Sequence, residues 1–445
     1  MTTPDRLALL GDLVAAARRA GADAADAVLV SSQSLEAQCR LGQTEHVERA
    51  ESADLGLRVF VGRQTAIVSA AGLEPRRFAE LAAHAVAMAR VLPEDPFAGL
   101  AEAARAVDTD DLDLVDAAEP DVATLTARAL AAEAAAMAVS GVTNSEGAGA
   151  GWGRVEALLV TSAGFAGRSQ RTSHSLSATV LAGSGTAMQR DYDAHASVHA
   201  ADLDAPELLG RRAGERAVRR LNPTRPRTAR LPVVFDPRVA GSLLGHLAGA
   251  INGAAVARGT TFLKDAMGSR IMPQGMVVRD DPRRRRGLRS RSFDGEGVPT
   301  RELALVEDGI LQTWVLDSAS ARQLGLASTG SAMRGTSGPP SPGTSNLFMA
   351  AGTLSPAALM AGAGEGLYVT EMIGMGVNGL TGDYSRGAAG FMIRHGELAE
   401  PVAEITIAGN LREMFRAITP ADDLRFRRGV DAPTLLVDGM TMAGA

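Results

Sequence analysis

The sequence is almost without lysine. Lys264 is the only one, and the rest of its 45 basic residues are arginine. That skew reads as genome base composition rather than function. Aromatic residues make up only 4% of the 445 positions, so the core must be assembled from Ala, Leu, Val, Ile and Met. Cysteine is nearly missing too. Cys39 stands alone, which excludes an intrachain disulfide and suits a reducing compartment. No apolar run is long enough to span a bilayer. The first segment, MTTPDRLALLGDLVAAARRAG, reads as an amphipathic helix and not as a signal peptide. The cytoplasm is the expected location, with no membrane partner. A formal net charge of −6 gives no reason to expect nucleic-acid binding.

Several catalytic signatures are also absent. No histidine is followed by glutamate, so there is no H-E-x-x-H zinc motif. Neither a G-x-S-x-G elbow nor a phosphate-binding P-loop occurs.

What remains is the composition of a folded protein, 46% apolar and 22% charged, with a length that suits two or three domains. Helical periodicity covers Pro4–Ala20 and residues 74–92, 120–140 and 205–221. A strand region opens at ADAVLVSS, and LGLRVFVGRQTAIVSA predicts a hairpin turning at Gly62 and Arg63. A Pro/Asp-rich connection occupies 92–120, and period-two text from Val155 to His199 predicts an antiparallel sheet. NPTRPR, 222–227, marks a boundary. Strand LPVVFD and a helix over Pro237–Ala257, capped by Asp236, follow, and the rest is mostly strand and turn with short helices near Ala319 and Leu411. The expected class is α+β. A mixed α/β region, 1–225, divisible into 1–105 and 118–225, precedes a strand-rich, barrel-like domain, 226–445, with one long buried helix.

That helix carries the oddest pattern in the chain. In GSLLGHLAGAING, glycine recurs at 241, 245, 249 and 253. Each interior glycine costs about 1 kcal/mol of helix stability relative to alanine. Residues four apart share a face, so the four glycines make a bare strip of backbone. Two readings stand: close packing inside a domain, or a helix placed at an active site. On the first, the strip should be packed against the rest of the C-terminal domain.

Other candidates follow from residue type. His195 and His199 have ligand-like spacing on a helix, but in a strand they would stand about 13 Å apart, too far for one ion. Cys39 lies in a strand pattern with no base nearby. The basic cluster Arg283–Arg286 reads as a solvated loop, with phosphate or partner binding as the alternative. STGSAMRGTSGPPSPGTSNLFMAAG is too long for a simple turn, and long ordered loops are often functional. After Gly366, a Gly-rich turn carries Asn378, Asp383, Tyr384, Ser385 and Arg386, polar groups able to orient a ligand or line an interface.

Several of these segments together resemble the TldD/PmbA family, in its PmbA (TldE) branch. The resemblance rests on GHLAGAINGAAVARGTTFL, FDGEGVPT, LQTWVLDSASARQLGLASTG, SGPPSPGTSNL, TEMIGMGVNGLTGDYSRGAAGF and PVAEITIAGNL, and is strongest after Leu231. It implies peptide processing by a heterodimer. The zinc would belong to the TldD-like paralogue, held by H-E-x-x-x-H and a C-terminal cysteine. Laid on this chain, that motif puts Gly245 and Ala250 at the histidines and His246 at the glutamate. The segment FRRGVDAPTLLVDGMTMAGA contains no cysteine. The resemblance therefore implies no catalytic residue, no metal and no cofactor here. It implies a non-catalytic subunit that pairs with the zinc-bearing paralogue and helps enclose an unfolded peptide. Two other readings stay open: a self-associating peptide-binding or chaperone-like protein, homodimeric in isolation, or a metal-independent hydrolase using Asp383, Tyr384 and His395.

Overall fold

The computed structural model of the chain describes residues 2–102 and 112–444. The middle of the 92–120 connection therefore lies outside the described residues. The first region runs α1 (Thr3–Arg19), β1 (Ala24–Arg40), β2 (Gln43–Val61), β3 (Gln64–Ala71), α2 (Phe78–Ala89), α3 (Val122–Met137), β4 (Val142–Thr161), β5 (Ala166–Ala182), β6 (Gln189–Ser197) and α4 (Pro206–Arg219). Its six strands form one sheet in the order β3-β2-β1-β4-β5-β6. The two sequence subregions thus share a sheet, joined by the antiparallel β1–β4 pairing.

Alternation along β1 explains the layering. Residues 25, 27 and 29 share a face with 35, 37 and 39. The first three lie in the apolar core with α1 and α2. The second three lie in a core with α3 and α4. The opposite face meets the second domain. There Val28 packs with Phe293, and Asp26 accepts from Arg58 Nε at 3.0 Å and pairs with Arg334 at 2.6 Å. Cys39 is buried, and that burial pushes its thiol up from the ordinary value.

Two features of this sheet depart from the sequence pattern. The β1–β2 hairpin turns at Leu41 and Gly42, both left-handed (φ 50° and 75°), as a tight two-residue turn requires. Leucine does not signal such a turn. And β4 begins at Val142, not Val155, because its small Gly/Ala/Ser stretch lies beneath helices: Ala148 and Ala150 are buried in the core with α3 and α4.

The second region contains β7 (Ala229–Phe235), α5 (Pro237–Ala250), α6 (Gly253–Ala257), β8 (Val278–Asp280), β9 (Leu303–Glu307), β10 (Ile310–Leu311), α7 (Ser318–Leu324), β11 (Ala332–Met333), β12 (Ser341–Pro342) and β13 (Leu347–Met349). It continues with α8 (Pro356–Ala363), β14 (Gly366–Ile373), β15 (Asp383–Arg394), β16 (Glu397–Asn410), α9 (Leu411–Arg416), β17 (Ile418–Pro420), β18 (Val430–Asp431) and β19 (Leu435–Ala443). Pairings β16-β15-β14-β7-β19, closed by β16 against β19, make a five-stranded barrel. A second sheet, β10-β9-β8-β13-β18, stands beside it. The expected α+β class with a barrel-like C-terminal domain is what the chain adopts.

The single long helix expected over Pro237–Ala257 is instead two. Asp236 caps α5 as its sequence suggests, accepting from Arg238 N at 2.8 Å. The helix then stops, because Ile251 and Gly253 pair their backbones with Val315, at 3.0 and 2.8 Å. Asn252 starts α6 afresh, its side chain accepting from Ala254 N and Ala255 N. Nor is α5 buried all round. Leu243, Leu244 and Leu247 are fully buried, while Gly245 and Gly249 are exposed. Burying three leucines stabilises by roughly 5–9 kcal/mol. That exceeds the roughly 3 kcal/mol lost to three helical glycines.

Candidate functional site

The exposed strip of α5 forms one wall of a cavity of about 300 Å³. Gly245, His246, Gly249 and Ala250 line it from α5, and Thr260, Thr261 and Phe262 from the segment after α6. Met375, Val377 and Gly379 cover it from the β14–β15 connection, with Arg386 from β15 and Leu411 from α9. A Cβ placed on Gly245 or Gly249 would meet no atom within 4 Å. The expected close packing of the strip therefore fails at these two positions. It holds at its ends: a Cβ on Gly241 would lie 2.8 Å from the Val430 carbonyl oxygen, and one on Gly253 2.5 Å from Leu316 Cδ2.

His246 is half-buried, its ring edge-on to Tyr384 with centroids 5.9 Å apart. Its Nε2 is buried without a hydrogen-bond partner among the described residues. Burial, and then the charge of Arg386, hold the imidazole below its ordinary value. Tyr384 is almost wholly buried, and that burial pushes its hydroxyl up to about 12 against the pull of Arg386. The Tyr384 hydroxyl donates to Met372 Sδ at 3.2 Å.

The polar group picked out after Gly366 is split between two faces. Tyr384 and Arg386 are two apart on β15 and share the face toward α5. Asp383 and Ser385 point the other way and are exposed. The Asp383 carboxylate accepts from Thr381 Oγ1 at 2.7 Å and Asn410 Nδ2 at 3.1 Å, and these bonds hold it below the ordinary carboxylate range. Asn378 is a turn-former: its Oδ1 accepts from Leu380 N at 2.9 Å and Thr381 N at 3.3 Å. His395 sits at the far end of β15, 98% exposed, in the turn to β16. Asp383, Tyr384 and His395 are not brought to one place, so the metal-independent constellation does not assemble.

The other candidates also separate. His195 Nδ1 accepts from Asp204 N at 3.1 Å, while His199 Nε2 lies 2.9 Å from the Asp113 carbonyl oxygen. Sequence reasoning missed Thr260, Thr261, Met375 and Leu411 as cavity residues. Only Met375 carried a signal, an apolar side chain inside a glycine-rich turn, and it is 84% exposed. Ile373 and Leu380, in the same connection, are exposed too. The cavity thus offers one neutral imidazole, one guanidinium and a bare strip of helix backbone beside an exposed apolar lip, while the hydroxyls of Thr260 and Thr261 already donate to the carbonyls of Ala255 and Ala250.

Three consecutive family models cover this architecture: PmbA/TldA metallopeptidase domain 1 over residues 25–89, the central domain over 116–221, and the C-terminal domain over 228–444. The chain belongs to the PmbA/TldD metallopeptidase family. It is 38% identical to metalloprotease PmbA of Escherichia coli O157:H7, over 95% of this chain and 92% of that one, and falls in the PmbA (TldE) branch. Among solved structures, a Bacteroides thetaiotaomicron protein described as a candidate modulator of DNA gyrase superposes with a TM-score of 0.90 at 26% identity, covering 100% of both chains. TldE of Thermococcus kodakarensis shares the fold, with a TM-score of 0.88 at 21% identity over 98% of this chain and 100% of that one.

A metallopeptidase family implies zinc, and the cavity's donors do not fit it. Zinc takes three or four nitrogen, sulfur or carboxylate ligands. Here His246 is the one imidazole, no carboxylate or thiol lines the cavity, and Arg386 puts a positive charge beside it. The nearest expected ligand positions, Gly245 and Ala250, carry no donor side chain. No helix among the described residues is long and apolar enough to cross a membrane.

Proposed function

We propose that this chain is the non-catalytic subunit of a TldD/TldE-type metallopeptidase complex in the cytoplasm, working on unfolded peptides. The observation that carries the reading is the donor set at α5: Gly245, His246 and Ala250, beside Arg386, in a cavity that is open and unable to assemble a metal site. No zinc or other cofactor belongs to this chain on that reading. The metal sits in a TldD-like paralogue, and this chain supplies part of the enclosure. Bare backbone at Gly245 and Gly249 lets an extended peptide approach closely, and the exposed Ile373, Met375 and Leu380 offer it apolar contact.

Mixing the purified chain with its paralogue tests this. The expected results are a stable heterodimer by light scattering, peptide cleavage that needs both chains, and no stoichiometric zinc on this chain alone by elemental analysis. Full cleavage by the paralogue alone, with no complex formed, overturns the reading.

A further inference from the structure

A second cavity, of about 290 Å³, lies between the end of β6 and two loops of the C-terminal domain, 284–288 and 425–429. Its wall is rich in arginine, and the arginines divide by what they already hold. Arg286 pairs with Asp113 at 2.6 Å and Asp202 at 3.0 Å, Arg285 with Asp113 at 2.9 Å, and Arg427 with Asp204 at 2.9 Å. Asp431 is consumed by backbone, accepting from the N–H groups of Arg427, Arg428 and Gly429 at 2.9–3.0 Å. That leaves Arg284, Arg425 and Arg428 lining the cavity with no carboxylate within ion-pair distance among the described residues. Arg284 is half-buried, its guanidinium 3.2 Å from the centroid of the Phe426 ring. His195 adds a neutral donor. Its Nδ1 accepts from Asp204 N, which leaves the proton on Nε2.

We propose that this cavity binds the phosphoryl or pyrophosphoryl group of a small soluble compound, with Arg284, Arg425 and Arg428 as its charge partners. Guanidinium forks match phosphate oxygens in pairs. Arg425 and Arg428 hold no carboxylate among the described residues, and Arg284, which feels the charges of Asp281 and Asp431 without an ion pair to either, adds a third fork, so together they favour a group carrying two or more negative charges. The volume lies at the lower end of small-ligand pockets, and the arginines come from two short loops that wall one cavity, so the site fits a compact anion better than a polymer backbone. Because walls come from both the β6 end and the C-terminal loops, the ligand would tie the two regions together. The proposal does not depend on the role assigned to the α5 cavity.

Titration calorimetry of the full chain with sodium pyrophosphate tests it, run against sodium chloride at matched ionic strength. Saturable one-to-one binding is expected, with a rise in melting temperature. It should weaken about tenfold or more in Arg425→Gln/Arg428→Gln, since one charge-assisted hydrogen bond is worth about that factor. Both arginines are exposed, so the variant should fold, and Arg49→Gln on the distant hairpin should bind as wild type does. Absence of saturable binding, equal binding by the double variant, or tighter binding of a short DNA duplex than of pyrophosphate overturns the proposal.

Discussion

Four glycines at one spacing do two different things. Gly241 and Gly253, at the ends of the strip, are closed in: the Val430 carbonyl faces the first, and Leu316, Ser320 and the Val315 carbonyl crowd the second. Gly245 and Gly249, between them, face an empty cavity. At the ends glycine is needed because a neighbour takes the space of a side chain. In the middle nothing takes it, so packing gives no reason for glycine and the helix loses stability without a structural return. A residue that destabilises a helix and touches nothing is what a ligand's approach would require.

Introducing the absent histidines is the harshest way to break this comparison. Ala250 borders the cavity but is only 4% exposed, so Ala250→His has far less room for a ring than Gly245→His and should cost roughly 1–3 kcal/mol. Gly245→His places its ring in the open cavity and should cost little. Denaturant midpoints of the two single variants decide the matter. Equal losses would mean that the middle of the strip is as tightly packed as its surroundings. Combining both with His246→Glu should still give at best a weak zinc site, because no third ligand lines the cavity.

Alanine sharpens the same contrast with a smaller probe. Gly253→Ala puts a Cβ 2.5 Å from Leu316 Cδ2 and 2.8 Å from the Val315 carbonyl oxygen, so it should destabilise by about 1–3 kcal/mol. Gly245→Ala and Gly249→Ala should each stabilise by about 0.5–1 kcal/mol, the gain in helix propensity with no clash to offset it. Thermal unfolding of the three variants reads opposite signs. If the open-site variants also impair peptide cleavage by the heterodimer proposed above, the bare backbone serves the ligand.

How much of this was legible beforehand follows from the range of the forces involved. The Asp236 cap and the Gly62 turn are local, and both are where the residues put them. The break after Ala250 is not local: it is set by Val315, more than sixty positions away, which takes the backbone of Ile251 and Gly253 out of the helix. The two uses of glycine were illegible for the same reason, since a missing side chain leaves no mark of what lies opposite. The split of the Asn378–Arg386 group was partly legible. With β15 starting at Asp383, period two alone separates Tyr384 and Arg386 from Asp383 and Ser385. Reading the segment as one turn hid that alternation. The unpaired arginines of the second cavity are split between loops about 140 residues apart, and only the fold brings them together.

The smallest effect expected is a pH dependence that reports on the environment of His246. Burial and the Arg386 charge hold its imidazole below the ordinary 6.5, so the folded chain keeps it neutral where the unfolded chain does not. As pH falls through about 6.5 the unfolded state takes the proton first, and stability declines until the folded value is passed, then levels off. His246→Gln removes that proton and nothing else that titrates. His174 and His195, also held low by burial, remain in both proteins and cancel in the difference. Urea unfolding of wild type and variant between pH 8 and pH 5 should therefore show the wild type losing ground to the variant as the solution is acidified. A difference that stays flat would place His246 in water, and one of opposite sign would require an anionic partner that the cavity wall does not contain.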